Sequence, residues 1–127
     1  MNHFLMNGYL WHVRIVPPDH PMLVDRTDTQ RVATTDPETM TVYISDRLSG
    51  HFRNTVVIHE LGHCAMISYS LLEDIHRMVY PEYWIEAEEW VCNFIADYGM
   101  AIYHAAYDIL GDDALMSIPY KIEQLIA

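Results

Sequence analysis

The sequence predicts an α+β fold, with a small antiparallel sheet in the N-terminal half packed on a central helix and on a long C-terminal helix. Three observations carry that expectation. Short β-prone runs punctuated by proline and aspartate precede Asp46, an apolar run surrounds His59 and His63, and a helical pattern extends from Glu82 to Leu110. With 127 residues and 51% hydrophobic content, the chain is expected to form one domain, residues 1–127, around a single core.

From Tyr9 to Val16 the run Tyr-Leu-Trp-His-Val-Arg-Ile-Val alternates and is rich in strand formers, which predicts a strand ended by Pro17-Pro18. Asp19 to Thr29 reads as a polar loop. Arg31 to Thr35 and Met40 to Ser45 flank Asp36-Pro37-Glu38-Thr39, a turn-like tetrad with proline second, so together they predict a hairpin. Alternation in the second run puts Val42 and Ile44 on one face and Thr41 and Tyr43 on the other. At a sheet edge, that strand could pair with an extended peptide.

Ser45 or Ser49 is placed to cap a helix expected from Phe52 to Leu72. Gly62, in its middle, costs roughly 1 kcal/mol against alanine, and a glycine there predicts close approach by another backbone. Pro81 suits the first position of a further helix, with Glu82 in its first turn. The pattern from Glu82 to Leu110 exceeds ordinary helix length, which predicts a break near Gly99. Gly111 ends it, Asp112 or Asp113 starts a short turn, and Ser117-Ile118-Pro119 introduces a last helix to Ala127.

Charge narrows the partners. Seven Lys and Arg against 18 Asp and Glu give a net charge of -11, a field that repels phosphate backbones and disfavours direct nucleic-acid binding. It suits a cationic peptide or a basic protein surface. Cys64 and Cys92 both lie in apolar helical patterns, which predicts buried free thiols in a reducing compartment. No apolar stretch has the length of a membrane span and the first residues lack a signal-peptide pattern, so a cytoplasmic protein without membrane contact is expected.

The chemistry centres on His59-Glu60-Leu61-Gly62-His63, flanked by Val56, Val57, Ile58, Ala65, Met66 and Ile67. On a helix, residues four apart point to nearly the same side, so His59 and His63 can offer two imidazoles to one zinc ion. Glu60 is turned by about 100°, where it can reach a water on the metal and act as general base. Burying this polar triplet among aliphatic residues is costly unless the groups are paired or bound.

A catalytic zinc has three protein ligands and an open position. Glu86-Ala87-Glu88-Glu89-Trp90-Val91-Cys92-Asn93 offers the third. Glu89 is the first candidate, because Asn93 and Asp97 follow it at helical spacing and Asn93 could accept the outward N–H of a ligating histidine. Glu86 is the reserve.

With Glu89 standing 26 residues after His63 in the form Glu-x-x-Cys-Asn-x-x-Ala, the chain resembles the gluzincin-type zincin metallopeptidases, closest to the small ImmA/IrrE-like HExxH proteins. The likeness covers Val56 to Ala96. It departs at Cys92, where the family often has alanine, and at Ile95, where phenylalanine is frequent; the later metzincin ligands are absent and Met66 and Tyr69 stand in their positions. The resemblance implies a minimal zincin-like domain, with zinc on His59, His63 and Glu89. Small stand-alone members also occur in phages and mobile elements, which implies the cytoplasm of a bacterial host.

The expected activity is peptide hydrolysis, with Glu60 assisting attack by the water that zinc activates. Tyr69, His76, Tyr80 and Tyr83 are candidates for stabilising the oxyanion. The alternative is a catalytically silent, acidic zincin-fold protein that sequesters or inhibits a basic host or regulatory protein. A third reading, structural zinc, needs Cys92, His76 or Asp97 as a fourth ligand.

Overall fold

A computed structural model describes residues 2–119 of the chain. Its architecture is α+β. Four strands, β1 (His3–Met6), β2 (Tyr9–Val16), β3 (Ala33–Asp36) and β4 (Thr41–Ser45), precede three helices, α1 (Gly50–Ser68), α2 (Leu72–Met78) and α3 (Trp84–Leu110). Contacts group the chain into two units, Met1–Asp97 and Tyr98–Ala127, with the boundary inside α3. No helix among the described residues is long and apolar enough to cross a membrane.

The sheet order is β1-β2-β4-β3. Two antiparallel hairpins, β1–β2 and β3–β4, join through a parallel pairing of β2 with β4, so the sheet is mixed where an antiparallel one was expected. The loop after Val16 explains this. It folds across one sheet face, where Leu23 packs on Val16 and Tyr43, and returns the chain to begin β3 at the far edge. β4 is therefore an inner strand, and the edge open to an extended peptide on that side of the sheet is β3, not β4.

The β1–β2 hairpin has no counterpart in the sequence expectation. Asn7 and Gly8 adopt φ of 50° and 81° at its tip, the paired left-handed geometry of a tight hairpin turn that Asn-Gly favours.

Val42 and Ile44 join Trp11, Ala33 and Cys64 in a core between the sheet and α1, while Tyr43 faces the other side, as the alternation requires. Trp11 is fully buried, and its indole N–H donates to the Ser68 hydroxyl at 2.8 Å, tying β2 to the end of α1. A third cluster, Met66, Ile75 and Cys92, joins the three helices within the first unit.

α1 ends at Ser68, short of Leu72. Ser70 takes a left-handed φ of 56° and the Leu71 N–H closes onto the Met66 carbonyl at 2.7 Å, a Schellman-type stop made without glycine. Ser49 is the N-terminal cap residue of α1, with no side-chain capping bond. Pro81 opens a 3-10 turn, Pro81–Tyr83, that runs straight into α3.

α3 continues without a break through Gly99. One glycine withholds only about 1 kcal/mol of propensity, too little to interrupt a 27-residue helix. In the second unit, Gly111 with φ of 62° ends α3 and a 3-10 segment, Gly111–Met116, follows. The last helix expected to run to Ala127 lies outside the described residues.

Candidate metal centre

α1 and α3 bring His59, His63 and Glu89 together, with one possible ligand atom from each within 4.8 Å of the others. The contacts are closer for the atoms that meet. His59 Nε2 and His63 Nε2 are 3.2 Å apart, His59 Nε2 lies 3.1 Å from Glu89 Oε2, and His63 Nε2 lies 3.2 Å from Glu89 Oε1. Ligands at about 2.0–2.1 Å from a tetrahedral zinc would be about 3.3–3.4 Å from one another. Two imidazole nitrogens and one carboxylate also form a donor set that zinc favours, so the residues fit the ion.

Gly62 makes this approach possible. A Cβ on it would meet Sγ of Cys92 at 3.1 Å and Cα at 3.3 Å, so the α3 backbone crosses α1 one residue before His63. Cys92 is fully buried there. The close approach expected at Gly62 is α3 itself.

Glu88 holds the ring of His63. Its Oε1 lies 2.9 Å from His63 Nδ1, which turns Nε2 towards Glu89, and its Oε2 accepts from Arg26 Nη2 at 2.9 Å. Asn93, expected to support a ligating histidine, borders the cleft with no hydrogen bond to either histidine, and the contact to His63 Nδ1 comes from Glu88, the residue just before Glu89. On α3 a step of one residue turns the side chain by about 100°, which carries Glu88 into the core while Glu89 faces the cleft. Glu86, the reserve ligand, is exposed and outside the cluster.

Charge accumulates at this point. Burial opposes protonation of His63, but hydrogen bonds with Cys92, Glu88 and Glu89 outweigh it and raise its pKa to about 12. Hydrogen bonds from His59 and His63 hold the Glu89 carboxyl well below the usual carboxylate range. Burial would raise Glu88, yet its bonds to His63 and Arg26 bring it below its ordinary value. The pocket thus favours positive charge at His63, which a proton or a metal ion can supply.

Glu60 is buried, with 6% of its surface exposed, and its Oε2 accepts the Thr35 hydroxyl. Thr35 belongs to the edge strand β3, so the sheet orients this carboxylate from across the cleft. Sequence reasoning missed Thr35 and Arg26 because each reaches the site from a distant segment.

The cluster opens into a cleft of about 720 Å³ bordered by the Asp25–Arg31 loop, β3, α1 and the first turns of α3, all within the first unit. Tyr69, His76, Tyr80 and Tyr83, the oxyanion candidates, do not border it. Cys92, His76 and Asp97 do not join the group of potential ligands. Cys64 and Cys92 are both free and buried; burial, then the charge of Glu60, pushes the Cys64 thiol up to about 12.

No protein-family model matches the chain, and comparisons with curated proteins and with solved structures returned no match.

Proposed function

We propose that the chain is a zinc-dependent metallopeptidase of zincin type, acting on a peptide or protein in the cytoplasm. The observation that carries the reading is the convergence of His59, His63 and Glu89 from two helices, with Glu60 beside them in an open cleft. Nothing among the described residues completes a four-ligand set, which favours a catalytic over a structural ion.

Bound there, zinc would supply Lewis acidity and bring the pKa of water in its open position towards about 7. Glu60, aimed by Thr35, takes the proton from the attacking water and returns it to the leaving amine. His59 and His63 would each offer Nε2 to the ion, the His63 ring being fixed by Glu88. An extended substrate can pair with the outer edge of β3, which brings its backbone along the cleft towards Glu60.

Zinc analysis of protein purified without added metal tests the site. Near-stoichiometric metal, lost in His59→Ala and Glu89→Ala, is expected; metal unchanged in both variants would remove these ligands. Glu60→Gln should retain zinc and abolish turnover. If Glu60→Gln keeps full biological action, the acidic binding protein replaces the hydrolase.

A further inference from the structure

Peptide hydrolysis at such a centre needs a donor, besides the ion, for the negative charge that builds on the carbonyl oxygen. Apart from the histidines, the cationic side chains bordering the cleft among the described residues are Arg26 and Arg31, two of only 7 Lys and Arg in a chain of net charge -11. Their surroundings divide the work. Arg26 is committed through Nη2 to Glu88, which supports the His63 nitrogen facing away from Glu89.

Arg31 is held differently. Its Nε donates to Asp25 Oδ2 at 2.6 Å, and its Nη groups carry no protein partner among the described residues. Asp25 is itself fixed, its Oδ1 accepting from the Thr27 N–H, the Thr27 hydroxyl and the Thr29 N–H. The Arg31 backbone N–H is bonded to the Leu23 carbonyl at 2.7 Å, just ahead of β3. Both ends of the residue are anchored while its donor face is left open. Arg31 lines the same cleft as Glu60, His59, His63 and Glu89.

We propose that Arg31 is the oxyanion donor of the cleft, its Nη N–H groups bonding the scissile carbonyl oxygen as that oxygen becomes negative. The inference rests on the metallopeptidase reading above. As the water oxygen bonds to the carbonyl carbon, the π pair moves onto the carbonyl oxygen and Arg31 neutralises it without giving up a proton. The C–N bond then breaks, the pair returns to re-form C=O, and the leaving nitrogen takes the proton carried by Glu60. A guanidinium suits this task because it stays charged throughout and offers paired donors.

Inorganic phosphate, a tetrahedral oxyanion, serves as the probe. Zinc content is measured first, and phosphate is then titrated calorimetrically into zinc-loaded wild type, Arg31→Ala and Arg31→Lys. Arg31→Ala should retain zinc and bind phosphate about tenfold more weakly or worse, consistent with loss of a charge-assisted pair, with part of the affinity recovered in Arg31→Lys. Should Arg31→Ala unfold, Arg31→Gln, which keeps a donor for Asp25 without the charge, carries the same test. Wild-type phosphate affinity in a zinc-loaded, uncharged variant would overturn the assignment. A wild type that takes up no zinc overturns the metal-centre reading instead, and the metal measurement reveals that before phosphate is added.

Discussion

A Cβ built on Gly62 would stand 3.3 Å from the Cα of Cys92, so α1 and α3 meet almost backbone to backbone beside the His59, His63 and Glu89 cluster. Gly62→Ala therefore sets two effects against each other. Helix propensity favours alanine by about 1 kcal/mol, whereas overpacking costs about 1–3 kcal/mol. The neighbour is backbone as well as thiol, so overpacking should win. A lower Tm and weaker zinc binding are expected, because displacing α3 carries Glu89 with it; a Tm at or above wild type would show that α3 yields freely.

Metal removal should reverse the pH dependence of stability. In the metal-free protein the pKa of His63 is raised from 6.5 to about 12, so its contribution is complete below pH 6.5 and is lost as pH rises towards 12. Glu88 and Glu89 are shifted below 4.5, so their contributions are present above that pH and are lost as it falls through their folded values. Between about pH 6 and 8 the metal-free Tm should therefore fall. With zinc, unfolded histidines bind protons that the metal-bound ones do not, so Tm should rise over the same interval. Thermal melts with and without a chelator check the two slopes; parallel slopes would count against metal at these histidines.

Glu88→Gln removes the charge behind His63 while keeping a hydrogen-bonding side chain. Zinc affinity should fall about 10–100-fold, the usual effect of losing a partner of a ligating histidine. Asn93→Ala should leave affinity unchanged, because no hydrogen bond joins Asn93 to either ring. Competition against a zinc chelator dye measures both, and the reverse ranking would restore Asn93 to the supporting role.

Thr35→Val preserves shape on β3 but removes the hydroxyl that aims Glu60. Zinc content should be unaffected, while kcat on a peptide substrate falls about tenfold, a fraction of the 10²–10⁴ that a positioned base supplies. KM should change little. A fall confined to KM would assign Thr35 to substrate binding.

Much of the fold could be read along the chain because its signals are local. β2 keeps the bounds of its alternating run, the β3–β4 hairpin forms around Asp36-Pro37-Glu38-Thr39, and α1 and α3 lie where the apolar patterns place them. The departures depend on tertiary context. Strand order follows from Leu23 packing on Val16 and Tyr43, a contact that no periodicity encodes. The stop after Ser68 uses a left-handed serine where a glycine would have announced it. The β1–β2 turn, by contrast, was present in Asn7-Gly8 and could have been found.

The site divides along the same line. That His59, His63 and a glutamate of α3 could meet was legible in helical spacing, and the structure groups Glu89 with the two histidines, but finding Glu88 beside His63 requires the rotation of α3 about its own axis. Arg26, Arg31 and Thr35 enter from segments far away in sequence, and neither motif nor periodicity points to them.

Because the two imidazoles sit on α1 and the carboxylate on α3, an ion held among them would act as a clasp closing the intervening loop, with α2 inside it. Withdrawing the ion would free that loop to sample open forms, and closing it again costs configurational entropy. Limited proteolysis would then concentrate cuts between Ser70 and Tyr83 in chelated protein and spare that stretch in the loaded form. Cofactor supply would in this way govern the lifetime of the chain as well as its chemistry.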